Sequence, residues 1–173
     1  MLFSKKYTGA ELFARANDII GSLTPLRGHD CGQLCGCACC VDDGMQTAGL
    51  PQVTGMRLFP GEPTSLNVVE NENGRFVVCG GRCDRDERPL ACRIFPFYPT
   101  LDEDGEVVVM IDGRGAKLCP LVRVCDNVDF DPRFFRAVGR VGKLLAGDPA
   151  CAAEMRAATD EISVVNELVL GNE

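Results

Sequence analysis

The chain has 173 residues, of which 46% are hydrophobic and 25% are charged, and its formal net charge is −7. This length and composition are typical of a globular protein that buries its own core, so we predict a single domain over residues 1–173. The acidic balance argues against nucleic-acid binding, which depends on Lys and Arg facing phosphate. Apolar runs are too short to predict a membrane span.

The N-terminal segment predicts a helix over about residues 9–22. Thr8 and Glu11 have the spacing of a capping box, and apolar residues then recur at helical intervals as far as Leu23. Thr24-Pro25 ends the pattern. The first residues lack the apolar stretch and cleavage site of a secretory signal, so we expect the protein in the cytoplasm.

The segment over residues 31–40 is the most unusual part of the sequence, because half of its ten residues are cysteine. These are Cys31, Cys35, Cys37, Cys39 and Cys40. Thiols stay reduced in the cytoplasm, so the chain's 11 cysteines indicate metal or redox chemistry and not disulfides. We therefore predict that a loop supplies several thiolates to a metal.

The middle of the chain has the alternation and turn residues of short strands. Asn73-Gly74 and Asp104-Gly105 are typical hairpin turns. We predict strands at residues 56–59, 66–70, 76–79 and 106–111, which form a small, mostly antiparallel sheet. The loops of this sheet then carry Cys79, Cys83 and Cys92.

The C-terminal part predicts a helical hairpin over residues 131–170. Asp131-Pro132 and Asp148-Pro149 each combine an N-cap residue with proline at the first helical position. The apolar stripe of these helices indicates core packing or the seam of a homodimer. The predicted fold class is thus α+β, with an N-terminal helix, a small sheet with Cys-rich loops, and a C-terminal helical hairpin.

Three later segments also contain cysteine. They are Cys79-Gly80-Gly81-Arg82-Cys83, the run from Arg88-Pro89 through Cys92-Arg93 to Phe95-Pro96, and Cys119-Pro120. Together with the first loop they resemble the YkgJ-type cysteine cluster family, a zinc- or iron-chelating domain, over residues 28–122. The family pattern is Cys-x2-Cys-x2-Cys-Cys, whereas this loop has Cys31-x3-Cys35-x3-Cys39-Cys40, with Cys37 in addition. The resemblance implies metal binding by Cys31, Cys35, Cys39, Cys40, Cys79, Cys83, Cys92 and Cys119.

The metal is either zinc or iron in an iron-sulfur cluster. With one histidine in the chain the ligands must be nearly all sulfur, which both accept. These cysteines could fill two tetrahedral sites, or one four-thiolate cluster and a second site. We slightly favour zinc in a structural or partner-binding module, with an iron-sulfur protein of redox or enzymatic role as the alternative. The sequence does not decide whether the protein is an enzyme.

Several residues near these cysteines allow two interpretations. Arg88 and Arg93, with Arg82 and Arg85, either donate to thiolates around the metal or form a solvated face with Asp84, Asp86 and Glu87. Residues 95–99, which include Phe95, either enclose the metal or pack as a loop. His29 is either a surface residue or a ligand.

Three cysteines fall outside the predicted ligand set. Cys151 lies on the apolar stripe of the last helix, so we predict a small buried hydrophobic side chain there. Cys37 is either an alternative ligand or a reactive thiol, although a catalytic thiol needs a nearby base. Cys125 is not assigned.

Overall fold

A computed structural model describes residues 7–29, Gly36, 56–78 and 84–171. The fold is α+β, as predicted. The helices are α1 (Gly9–Ile20), α2 (Leu90–Ile94), α3 (Pro120–Arg123), α4 (Pro132–Leu145) and α5 (Pro149–Val169). The strands are β1 (Asn67–Asn71), β2 (Gly74–Val78), β3 (Phe97–Leu101) and β4 (Val107–Ile111), and short 3₁₀ turns cover Arg85–Glu87, Gly113–Gly115 and Cys125–Asn127.

Helix α1 matches the predicted N-terminal helix but lacks the predicted capping box bond. Thr8 occupies the N-cap position, yet its side chain makes no capping hydrogen bond. Gly9, the first helical residue, has φ +53°, a left-handed value that glycine adopts readily. The helix ends at Gly21, whose N–H donates to the carbonyl of Asn17, and its buried side chains are Leu12, Phe13, Ala16 and Ile20.

The strands form two separate antiparallel hairpins, β1–β2 and β3–β4, where the sequence predicted one small sheet. In the first hairpin Asn71 pairs with Gly74, so Glu72 and Asn73 form a two-residue turn. The strand predicted at residues 56–59 is wrong. That segment makes only an isolated bridge between Arg57 and Phe76, because it leaves the edge of β2 after one pairing and enters the Pro60-Gly61 turn.

Strand β3 was not predicted, because Pro96 directly precedes it and Pro99 lies within it, and proline argues against a strand. The structure accommodates Pro99 since β3 pairs on one side only, with β4, and the other edge needs no N–H donor from this residue. All five residues of β3 are buried. Phe97 and Tyr98 therefore pack in the core as part of a strand, where the sequence predicted a loop.

The two C-terminal helices occur as predicted and both pack on the β3–β4 hairpin. The side chain of Asp131 accepts the N–H of Arg133, and that of Asp148 accepts the N–H groups of Ala150 and Cys151. Helix α4 approaches the hairpin closely at Gly142, where an added Cβ would lie 2.6 Å from Val107 Cγ1 and 2.7 Å from Pro99 Cβ. Glycine inside this helix is thus required by the close packing of the helix on the hairpin.

The main core lies between α1, α4, α5 and the β3–β4 hairpin. Phe13, Phe134 and Met155 are among its fully buried side chains. The Phe97 ring of β3 packs against two rings at or just before the start of α4. Its centroid lies 4.9 Å from that of Phe130 and 6.0 Å from that of Phe134. Within the described ranges, no helix combines the length and hydropathy that crossing a membrane requires.

Candidate metal centre

Helix α2 carries Cys92 and fixes it at the edge of the main core. The N–H groups of Cys92 and Arg93 both donate to the carbonyl of Pro89, 3.0 Å away, which closes the first turn. Leu90, Ala91 and Ile94 are buried, whereas Cys92 and Arg93 are half-buried. The buried face therefore holds the helix while Cys92 stays accessible on the opposite side.

The start of α2 is held by Glu62, which the sequence analysis did not identify. This carboxylate is 1% exposed; its Oε1 accepts the N–H of Ala91 (3.3 Å) and its Oε2 accepts the N–H of Phe59 (3.0 Å). It satisfies an N–H that a helix start leaves without a partner. Burial raises the pKa of Glu62 to about 7. Gly61-Glu62-Pro63 has the composition of an exposed turn, so no sequence signal marks this role.

Three arginines surround Cys92. Arg85, Arg88 and Arg93 are half-buried and line a cavity of about 30 Å³ together with Cys92 and Phe95. The neighbouring acidic residues Asp84, Asp86 and Glu87 are exposed. The arginines are thus less exposed than the neighbouring carboxylates, which is compatible with donation by the arginines to a buried group.

Two of these arginines are fixed by the end of α1. The Nη2 atom of Arg93 donates to the carbonyl of Gly21, and that of Arg85 donates to the carbonyl of Leu23, each over 2.7 Å. Burial and the charge of Arg85 lower the pKa of Arg93. The Nε atom of Arg93 is buried and has no hydrogen-bond partner among the residues that the structure describes.

These features fit a thiolate-bound metal. The carboxylates of Asp86 and Asp18 offset part of the positive charge at Arg93. A negatively charged group beside Cys92 would offset more of it and could accept the N–H that lacks a partner. A metal centre with four thiolates carries such charge, and guanidinium N–H groups are suitable donors to thiolate sulfur. Arg88 and Arg93, which the sequence associated with the metal, both line the cavity.

Cys119 is the N-cap residue of α3 and directly precedes its first residue. Its side chain is buried, 6% exposed, and its N–H donates to the carbonyl of Gly115 over 2.8 Å. Phe95 packs in the same small apolar cluster as Cys119 and also lines the cavity at Cys92. Glycine at position 115 lets the Phe95 ring lie directly against the backbone. Phe95 thus shares a cluster with Cys119 and a cavity lining with Cys92, which is compatible with both the enclosing and the packing interpretation of this ring.

The remaining predicted residues divide into two groups. Cys31, Cys35, Cys37, Cys39, Cys40, Cys79, Cys83 and Arg82 lie outside the described residues. His29 is exposed, and its carbonyl accepts the hydroxyl of Thr24. Cys125 is half-buried in a 3₁₀ turn. Over residues 7–29, 56–78 and 84–171, no group of three or more His, Cys, Asp or Glu side chains is arranged to hold a metal ion.

Cys151 is buried as predicted. Its side chain is 0% exposed in α5, and its Sγ lies 3.7 Å from the carbonyl oxygen of Pro60. Burial, with the charge of Asp148, raises the pKa of this thiol to about 12. Cys151 therefore stays protonated at neutral pH and behaves as a small apolar side chain, unlike a metal ligand.

Comparisons with protein-family models, with curated proteins and with solved structures find no match to this chain. The resemblance to the YkgJ-type family thus stays a prediction.

Proposed function

We propose that this protein binds metal through a cysteine-thiolate centre, with zinc favoured over an iron-sulfur cluster, and acts as a structural or partner-binding module. The observation that supports the proposal best is the surrounding of Cys92, where three half-buried arginines face the same cavity. Concentrated positive charge at a half-buried thiol stabilises the thiolate, which is the form that binds metal. Ordinary core cysteines lack such neighbours, as the buried Cys151 illustrates.

Each part of the proposed centre has a distinct role. Cys92 and Cys119 would supply two thiolates, and the other proposed ligands are Cys31, Cys35, Cys39, Cys40, Cys79 and Cys83. Arg88 and Arg93 would donate hydrogen bonds to thiolate sulfur and offset its charge. Phe95 would exclude water from the side it covers. Bound zinc would cross-link the loops that carry its ligands.

Metal analysis of protein purified without oxygen tests the proposal, together with its absorption spectrum. We expect stoichiometric metal in the unaltered chain, less metal per chain in Cys92→Ser, and unchanged metal in the matched variant Cys151→Ala. Colourless protein with zinc supports the favoured alternative, whereas iron with visible absorption supports the iron-sulfur alternative. A chain without stoichiometric metal, or equal metal in the two variants, would overturn the proposal.

We further propose that the protein works in the cytoplasm and contacts a protein partner or a second copy of itself. The C-terminal helices are the proposed contact. Val164 and Leu168 support it, because they lie one turn apart near the end of α5 and are 57% and 68% exposed. Sedimentation velocity of the metal-loaded protein distinguishes a monomer from a dimer.

A further inference from the structure

A cleft of about 510 Å³ lies between the β1–β2 hairpin, the Gly113–Gly115 turn and α5. Its volume is in the range of small-molecule sites. Three aromatic rings contribute to its walls: Phe76, Phe95 and Tyr98. Its charged lining consists of Arg57, Glu72, Asp112, Arg114 and Glu161. A lining that combines aromatic rings with charged groups is typical of a site for a ligand that is part apolar and part charged.

The arginines of the cleft are already engaged by carboxylates. In Arg114, Nε and Nη2 each donate to Asp112 over 2.8 Å, and Nη1 donates to Glu161 over 2.9 Å. Arg57 pairs with Glu154 at 3.0 Å and with Glu161 at 3.8 Å. Although burial lowers the pKa of Arg114, the hydrogen bonds and charge of Asp112 raise it overall. An anionic ligand would have to displace these carboxylates, and Asp112 is 4% exposed.

The charge balance of the cleft is acidic. The lining holds two guanidinium groups and three carboxylates, those of Glu72, Asp112 and Glu161, which leaves an excess of one negative charge; Glu154, outside the lining, pairs with Arg57. Glu72 is exposed in the hairpin turn. Within the described part of the chain its carboxylate has no ion pair or hydrogen bond. It is therefore available to a ligand.

The aromatic walls also favour positive charge. The guanidinium carbon of Arg114 already lies 5.1 Å from the centroid of the Tyr98 ring, within the distance of a cation–π contact. Burial and the nearby Glu154 carboxylate raise the pKa of Tyr98, so its hydroxyl stays neutral. Phe76 is half-buried and provides most of the ring surface in the cleft, because Phe95 and Tyr98 are 7% and 6% exposed.

We propose that this cleft binds a small organic cation with an apolar body, such as an alkyl or aryl ammonium compound. The cation would pair with Glu72, since Glu161 already pairs with Arg114, while its apolar part covers the half-buried ring of Phe76. Ala91 and Leu118 line the cleft and directly precede Cys92 and Cys119, so the ligand would lie beside the backbone of both proposed metal ligands. This inference goes beyond the proposed metal binding and does not depend on it.

The test is a titration of the full ¹⁵N-labelled chain, followed by NMR, with benzyltrimethylammonium as the probe. Benzoate and benzyl alcohol serve as an anion and a neutral compound with the same ring. We expect saturable binding of the cation, shifts of the amide signals at Asn73, Phe76 and Gly115, and a Kd at least about tenfold lower than that for benzoate. Equal or tighter binding of benzoate, or no saturable shift at these positions, would overturn the proposal.

A pair of variants in one hairpin tests the assigned carboxylate. Glu72→Gln removes the charge at the cleft and should raise the Kd for the cation by about threefold to tenfold. Glu70→Gln makes the same change two residues away on β1, outside the cleft lining, and should leave the Kd unchanged. Equal effects in the two variants would contradict the proposal. Metal content measured on the same samples shows separately whether the proposed metal centre holds.

Discussion

At the scale of single residues, Glu62 shows how one buried carboxylate links the core to the proposed metal centre. It joins the Phe59 segment to the start of α2, one residue before Cys92. Burial has the largest effect and raises its pKa to about 7, although the backbone N–H groups of Phe59, Ala91 and Leu90 favour its charged form. The ordinary value is 4.5, so the folded protein holds a proton between pH 4.5 and 7 that the unfolded chain releases.

We predict that Glu62 makes the protein less stable as the pH rises through this range. Because the folded state binds more protons, the free energy of unfolding should fall between pH 4.5 and 7, by on the order of 3 kcal/mol when the shift is complete. Glu62→Gln cannot ionise, so its stability relative to the unaltered chain should rise over the same range. Urea unfolding at several pH values measures the difference in unfolding free energy between the two chains. The contributions of all other ionisable groups are the same in both chains and cancel in this difference.

The control for this prediction is Glu103→Gln, which alters an exposed acid in the β3–β4 turn. Its stability should follow that of the unaltered chain at every pH. A constant offset between Glu62→Gln and the unaltered chain from pH 4.5 to 8 would show that Glu62 is already ionised at low pH. In that case its N–H donors, and not burial, determine its titration.

At the scale of secondary-structure elements, the C-terminal helices depend on local capping. The Oδ1 atom of Asp148 accepts the N–H groups of Ala150 and Cys151 at 3.0 and 3.1 Å and so satisfies two donors at the start of α5. Asp148→Ala should lower the free energy of unfolding by about 1 kcal/mol and the melting temperature by about 3 °C. Asp148→Asn keeps the acceptor oxygen and should retain most of the stability. Thermal unfolding monitored by circular dichroism measures both, and equal losses would contradict a capping role.

The same local character explains which elements the sequence could predict. Asp131-Pro132 and Asp148-Pro149 contain a complete start signal within two residues, so both helices follow from the sequence alone. Strand β3 contains proline and becomes a strand only through its pairing with β4 and burial beneath two helices. Such tertiary contacts leave no local pattern, and the division of the strands into two hairpins has the same origin.

The candidate site shows a similar limit. The resemblance to a cysteine cluster family predicts Cys92 and Cys119 as ligands, and the charge that thiolates require predicts Arg88 and Arg93 beside them; both stay predictions. The sequence could not distinguish half-buried from exposed charges in the run Asp84 to Arg88, since arginines and acids alternate there. Nor could it find Glu62 or the cleft, because their members come from distant segments that only folding brings together.

At the scale of the whole molecule, the main core includes neither of the two proposed metal ligands that lie among the described residues, Cys92 and Cys119. The core is closed by α1, α4, α5 and the β3–β4 hairpin, whose buried residues include Phe13, Phe134 and Ile162. Cys92 lies at its edge, and Cys119 belongs to a second, smaller cluster with Phe95. A protein whose core forms without metal ligands should not behave as a zinc finger, which unfolds when its metal is removed.

We therefore predict that metal removal leaves the helices folded. After treatment with a chelator under reducing conditions, the helical circular dichroism should persist and urea unfolding should stay cooperative, with less stability lost than in Phe134→Ala. That variant empties a core position that is 0% exposed and should lose about 3–5 kcal/mol. Loss of the helical signal on chelation would contradict this prediction and would show that the core depends on bound metal.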